Sequence, residues 1–421
     1  MNKDARAFGL IFTTLLIDVA AMGMLIPVLP ELLRGFVGGD YGAAAQLTGF
    51  VAALSAGLSF FCAPVVGALS DRFGRKPLLV LGMIGPAVAY FSLAGGGSVT
   101  WYILGFALSG ILGAIHSTTN AYIADITPFE KRAERYGMMG AAFGLGFIVG
   151  PLAGGLLGGF GLNVPFYVAG ALTLLNLALC LAFLPESLSA DKRRDFQWSH
   201  ANPLASLKLL RRSKLLLALS SSLFLSNLAN QGMYSTWVLS TTLRFSWDTV
   251  AVGVVFAVMG VSTALSQGLL VGPTVKRLGE RRSILLGLTV SLAAFLAYAL
   301  VPQGWMVYLV IVLSSLGAVD EPASQALLTS SVSETEQGAV QGALASVLSL
   351  TAVFGPLMST NVFAYFVSKG APVYFPGAPL AAGAVLIAAA LWLAWRFVRP
   401  TSQHVEFNSG SSRVAVQGIG D

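Results

Sequence analysis

The chain has 421 residues, 55% of them hydrophobic and 10% charged, with a mean hydropathy of +0.76. Soluble proteins carry about 25% charged residues, so 25 basic and 19 acidic side chains are too few to solvate a globular surface of this size. Cys62 and Cys180, the two cysteines, both lie in apolar runs, which excludes a disulfide scaffold and reads as small buried hydrophobes.

A bilayer crossing needs about 20 apolar residues, and twelve crossings would leave about 35 residues each. Apolar runs of that kind fall at 8–33, 46–70, 77–96, 101–125, 137–159 and 164–184. A second series follows at 214–240, 249–272, 283–301, 304–329, 338–366 and 374–397. The first run is longer than a signal-peptide core, contains Asp18 and lacks a small-residue cleavage site, so it is expected to stay as a span. The expected fold is an all-α membrane protein of twelve transmembrane helices in two six-helix halves. The halves are drawn at 1–190 and 214–399, with a linker at 191–213 and a tail at 400–421. The linker is expected to hold a short surface helix near Pro203–Leu210, and the Ser/Gly-rich tail is expected to be disordered.

All but three of the basic residues fall on one side of this scheme, leaving Arg34, Arg244 and Lys369 opposite. By the positive-inside rule both termini and the linker are cytoplasmic, in the inner (plasma) membrane. The formal charge of +6 is therefore topological, and no folded basic face is left for a nucleic acid.

The halves repeat at an offset of 205 residues. Gly67, Arg72, Gly74 and Lys76 pair with Gly272, Arg277, Gly279 and Arg281, and Gly137, Gly150 and Pro151 pair with Gly342, Gly355 and Pro356. A duplicated six-span unit is the mark of an alternating-access transporter with its substrate site between halves near the midplane.

Between the second and third runs the chain reads Gly67-Ala-Leu69-Ser-Asp71-Arg72-Phe-Gly74-Arg75-Lys76. This resembles the loop signature of the major facilitator superfamily. Glycine permits a tight turn, and Asp71 can meet a helix N-terminus or a basic side chain. The resemblance implies a latch between the halves on the cytoplasmic side; a merely topogenic basic loop is the plainer alternative. The fifth run reads Gly137, Gly146, Gly150, Pro151, Gly154 and Gly155 at the spacing of that superfamily's drug/proton antiporters. Glycines four apart also make a smooth face for any tight helix crossing.

Across all twelve runs the chain resembles the tetracycline efflux proteins. The likeness includes Asp18, Gly23, Pro27 and Pro30 in the first run, Asp125 ending the fourth, Gln231 with Trp237 in the seventh, and Gln341-Gly342 opening the eleventh. It departs from them at Phe106, where they carry Arg, at Ala89 and Ser291, where they carry acids, and at Thr263, where they carry His.

An ionisable group in the bilayer costs at least about 2.5–3.5 kcal/mol on insertion scales, so each calls for a function. Four fall within the runs: Asp18, His116, Asp320 and Glu321, and the repeat offset pairs His116 with Glu321. Adjacent side chains on a helix point about 100° apart, so Asp320 and Glu321 occupy different surroundings. Asp18 and Glu321 are expected to line the cavity and bind protons and cationic substrate, with Asp320 and His116 assisting. Each would also serve as a buried group satisfied by helix ends or hydroxyls. Gln231, Gln325, Asn230 and Tyr234 are candidate substrate contacts, and equally candidate interhelical glue.

No phosphate loop of the Gly-x4-Gly-Lys type is present, nor a nucleophile–base signature, and His200 and His404 lack metal-ligand spacing. The expected function is proton-coupled export of amphipathic drugs by a monomeric, non-enzymatic carrier. The proton gradient would supply the energy, with no cofactor and no metal. A proton-coupled importer or metabolite carrier on the same scaffold is the alternative, and a non-transporting membrane receptor a more distant one.

Overall fold

A computed structural model describes residues 3–95, 98–112, 115–128, 131–189, 191, 193, 210–333 and 336–398, with the side chains of 3–5, 115–117, 133, 338 and 339 outside that description. The described residues are helical, without strands. The first series comprises α1 (Lys3–Leu25), α2 (Leu29–Phe36), α3 (Tyr41–Phe73), α4 (Arg75–Ala94), α5 (Val99–Leu112), α6 (Ile115–Ile126), α7 (Arg132–Gly158) and α8 (Val164–Phe183). The second comprises α9 (Lys214–Phe245), α10 (Thr249–Ser266), a π-helical turn (Gln267–Val271), α11 (Gly272–Leu300), α12 (Gly304–Ser315), α13 (Asp320–Ser330), α14 (Gln337–Val367) and α15 (Ala378–Phe397). The surface helix expected near Pro203 and the tail after Pro400 lie outside the described residues.

Every expected apolar run has a helical counterpart, and nine helical stretches among the described residues are long and apolar enough to cross a bilayer. One of the nine, 249–300, is 52 residues long and turns at Gly279, where φ is 75°. The helices α5, α6 and α9 are not among them.

In three runs the described residues show where the helix departs from a single straight rod. The first ends at Leu25, because Pro27 cannot donate to a helical ladder, and restarts as α2 with Pro30 in its first turn. The tenth breaks at residues 316–319, between α12 and α13. The eighth widens into the π turn before it reaches the basic loop. The 205-residue repeat is visible in backbone shape: Gly74 and Gly279 both hold positive φ, 107° and 75°, and α12 and α13 begin 205 residues after α5 and α6.

Helices of the two series meet at the end away from the basic loops, the distal end. There α3 packs on α14 and α7 on α10. Gln46 Nε2 donates to Asn361 Oδ1 at 3.1 Å, and Thr249 Oγ1 donates to the Gly155 carbonyl at 3.2 Å. Small residues allow this approach: a Cβ at Gly253 would come 2.6 Å from the Pro151 carbonyl oxygen, and one at Gly49 would strike Thr360. Toward the basic loops the same helices part. Gly67, Gly137, Gly140, Gly144, Gly268, Gly272 and Gly342 have open space where a Cβ would sit. Among the described residues, the two series are packed together at the distal end and leave open space toward the basic end.

Candidate functional site

A cavity of about 640 Å³ lies among α9, α10, the π turn, α11, α12 and α13. The break at 316–319 puts Asp320 and Glu321 in the first turn of α13, and both face this cavity. That break is held against α11 by glycine: a Cβ at Gly287 would come 2.6 Å from the Gly317 carbonyl oxygen and 2.7 Å from Asp320 Cβ.

The two carboxylates are treated differently by the fold. Asp320 accepts hydrogen bonds from the Ser226 hydroxyl and from the backbone N–H groups of its own first turn. Glu321 is exposed to the cavity and accepts from Gln325 Nε2 at 3.2 Å. Tyr234, 45% exposed, lies close enough to feel the Glu321 charge. Tyr298 lies beyond it, with its hydroxyl 3.0 Å from Ser314 Oγ and its ring edge-on to Trp237 at 5.1 Å. Asn227 and Asn230 line the wall, each donating Nδ2 to a carbonyl one turn back at 3.1 Å. Those bonds leave each amide its Oδ1 acceptor and a second N–H donor. No Lys, Arg or His among the described residues lines the cavity.

Of the residues chosen from sequence, Glu321, Asp320, Gln325, Asn230 and Tyr234 therefore come together. Asp18 and Gln231 do not join them. Asp18 sits half-buried on α1, within electrostatic reach of buried Tyr90 on α4, and is not part of the cavity wall. Gln231 turns toward α14, where a Cβ at Gly355 would come 2.7 Å from Gln231 Cβ. It is about 100° around α9 from Asn230, so only one of the two can face the cavity. The side chain of His116 lies outside the described residues. Thr263 and Ser291, where the tetracycline exporters carry His and an acid, both line the wall. Ala89 and Phe106 lie instead in an apolar cluster with Tyr90 and Tyr102. A Cβ at Gly105 would come 2.6 Å from Ala89 Cα, so an apolar helix crossing occupies the place of charged groups. Apolar packing in place of a buried ion pair is often neutral or stabilising.

Among the described residues, the contacts of the basic loop are within the first half. Arg75 reaches Asp71 at 2.6 Å, Asp125 at 3.1 Å and Ser70 Oγ at 2.8 Å. Glu186 accepts from the Arg75 and Lys76 backbone N–H groups at 2.8 and 3.1 Å and so caps α4. Lys76 Nζ donates to the Leu181 carbonyl at 2.9 Å, while exposed Arg72 lies over the Phe73 ring. All these partners precede residue 190. The missing side chain at Gly74 is what lets Glu186 approach: a Cβ there would lie 2.5 Å from its carboxylate.

The glycines of α7 divide by position. Gly146, Gly150 and Gly154 face α1, where a Cβ at Gly154 would strike the Met24 carbonyl. Gly155 faces α10 of the other series, and the Pro151 ring fits against Gly23. Gly137 touches nothing. Sequence reasoning missed Gln267, carried into the cavity by the π turn, and Ser226 and Glu186, whose partners are remote in the chain. A polar residue one turn after Thr263 was the available signal for Gln267.

Apolar helices around a chamber of small-molecule size, sealed at one end and parted at the other, make a membrane transporter. The chain belongs to the major facilitator superfamily, whose model matches residues 11–318 and 223–417. Within it the chain resembles tetracycline resistance proteins. The class C protein of Escherichia coli is 38% identical over 363 residues, 86% of this chain and 91% of that protein. The class H protein of Pasteurella multocida is 30% identical, covering 96% and 98%. Among solved structures, the human organic anion transporter MFSD10 (TETRAN) is 24% identical with TM-score 0.67, over 94% of this chain and 100% of that one. The nucleoside transporter NupG is 16% identical with TM-score 0.73, over 94% and 98%. At those identities the likeness is one of fold.

Proposed function

We infer that the protein exports amphipathic small molecules from the cytoplasm in exchange for protons, by alternating access of the halves 1–190 and 214–399. The observation that carries this reading is the carboxylate-bearing cavity in a molecule open at its basic end, which the positive-inside rule makes cytoplasmic. An exporter loads from that side. Glu321 and Asp320 act on the proton in the second half, and Asp18 supports coupling from the first. Gln325, Asn230 and Tyr234 contact the substrate. The tetracycline resistance relatives support drug export, while Thr263 and Ser291 on the wall argue for a substrate set of its own. The carrier works as a monomer in the plasma membrane, driven by the proton gradient without cofactor, and 191–213 tethers its halves.

Drug-susceptibility profiling of expressing cells, with tetracycline included, tests export. Proton movement in proteoliposomes tests coupling. Resistance to at least one amphipathic drug, with drug-dependent proton flux lost in Glu321→Gln and Asp18→Asn, is the expected result. Wild-type coupling in both variants would overturn it.

A further inference from the structure

The 205-residue repeat puts two copies of one turn at the basic end, and the two are not finished alike. After Gly74 (φ 107°, ψ 163°) the chain restarts as α4, and after Gly279 (φ 75°, ψ 165°) α11 restarts over 280–300. A restarted helix presents N–H groups that its own ladder does not satisfy, together with the positive end of its dipole. In the first copy Glu186 fills that position. Its two carboxylate oxygens accept from the Arg75 and Lys76 N–H groups at 2.8 and 3.1 Å. A Cβ at Gly74 would lie 2.5 Å from that carboxylate, whereas one at Gly279 would meet nothing within 4 Å. The first copy thus shows what this turn binds: an oxyanion seated against the bare glycine.

The second copy has the same frame with more positive charge. Lys276, Arg277, Arg281 and Arg282 flank its glycine, against the single carboxylate of Glu280. Among the described residues none of these four basic side chains has an ion-pair partner, and no carboxylate accepts from the Glu280 or Arg281 N–H. One further contact repeats. Lys76 Nζ donates to the Leu181 carbonyl near the end of α8, and its counterpart Arg281 donates Nε to the Val398 carbonyl just past α15. A guanidinium engaged through Nε keeps both terminal nitrogens as donors. Location then selects the oxyanion. The helix α15 packs on α11, and near its end it carries Trp392 and Trp395, 56% and 61% exposed, with exposed Arg396 beside them. Tryptophans exposed at the end of a spanning helix mark headgroup depth. Val398, bonded to Arg281, lies one turn beyond Trp395, so the Gly279 turn sits at the level of lipid phosphates. Clusters of Lys and Arg at that depth attract anionic headgroups.

We propose that the Gly279 turn, with Arg281 and Arg282, is a binding site for the phosphate of an anionic phospholipid, which takes in the second half the place that Glu186 takes in the first. The phosphate oxygens accept from the first N–H groups of the restarted helix and from the two guanidinium groups. Because Arg281 also holds the end of α15, the lipid ties α11 and α15 together at the membrane surface. The site is independent of what the cavity carries and of the direction of transport.

Native mass spectrometry of the purified full-length protein in mild detergent tests this, with phosphatidylglycerol and phosphatidylcholine supplied at equal concentration. Phosphatidylglycerol should bind about tenfold or more tightly. Arg281→Gln with Arg282→Gln should lose most of that preference, while Arg193→Gln with Arg211→Gln, an equal loss of exposed charge elsewhere, should keep it. Glu280→Gln removes the one nearby carboxylate and should strengthen phosphatidylglycerol binding, which damage to the fold would not do. Equal binding of the two lipids by the wild type would overturn the proposal whatever the variants do. An equal loss in the two arginine pairs would reduce it to unspecific charge attraction and sink it. Displacement of the lipid by millimolar inorganic phosphate would mark a free-anion site instead. Stronger lipid binding by Glu406→Gln with Asp421→Asn would identify the chain's own tail as the occupant, and that also overturns the lipid assignment.

Discussion

The Ser266 hydroxyl donates to the Ser315 backbone carbonyl, joining the last residue before the π turn to the last residue before the break above Asp320. Two irregular points on neighbouring helices are thus one unit. Ser266→Ala removes this donor while the Ser315 carbonyl keeps the Ala318 N–H at 3.2 Å, so the cost is that of one hydrogen bond, about 0.5–1.5 kcal/mol. A lower unfolding temperature in detergent, together with reduced export, is the expected outcome. An export rate equal to wild type would show that the two irregularities act independently.

The face of α7 that meets α1 should be intolerant of side chains, and its basic end tolerant. Gly154→Val puts its branch against the Met24 carbonyl and is expected to abolish accumulation of folded protein. Gly137→Ala meets nothing and should fold with an unfolding temperature equal to or above wild type, as expected for removing a helical glycine. Size-exclusion profiles and thermal melts of the two variants separate these outcomes.

Arg75, 8% exposed, holds Asp71, Asp125 and Ser70 together. Arg75→Ala leaves two carboxylates facing one another. Because Asp71 is half-exposed, the expected destabilisation is about 2–3 kcal/mol, below that for a fully buried pair. Arg75→Lys keeps the charge but not the forked geometry, and should recover less than half of the loss. Denaturant titration in mixed micelles measures both.

The distal seal can be locked. Gln46 and Asn361 face each other across the halves at 3.1 Å, so Gln46→Cys with Asn361→Cys should crosslink under mild oxidation in a background lacking Cys62 and Cys180. Transport is expected to stop on oxidation and to return on reduction. Full transport by the crosslinked protein would mean that these helices do not part during the cycle.

Much of the fold was legible because lipid imposes few solutions. Apolar run length set the spans, and the 205-residue repeat paired Gly74 with Gly279, both of which hold positive φ. Pro27 marked where α1 stops, although the run was read through it. Helix rotation was not legible. Asn230 and Gln231 are equally polar, and only the packing of Gly355 against α9 decides which one faces the cavity. The same holds for Asp18, whose surroundings depend on where α4 presents Tyr90. Glu186 escaped notice because its bonds reach back 111 and 110 residues to the N-terminus of α4.

The cavity wall comes from one half of a duplicated chain, although duplication began with two equivalent halves. At the corresponding depth the first half has Ala89 against Gly105, beneath a Phe106 ring packed on Tyr102. One copy has become a stiff abutment and the other a working chamber. Tolerance to substitution should then be lopsided. New specificities would arise through a handful of changes on α9 to α13, while the first half stays as an unchanging anvil against which each new chamber closes.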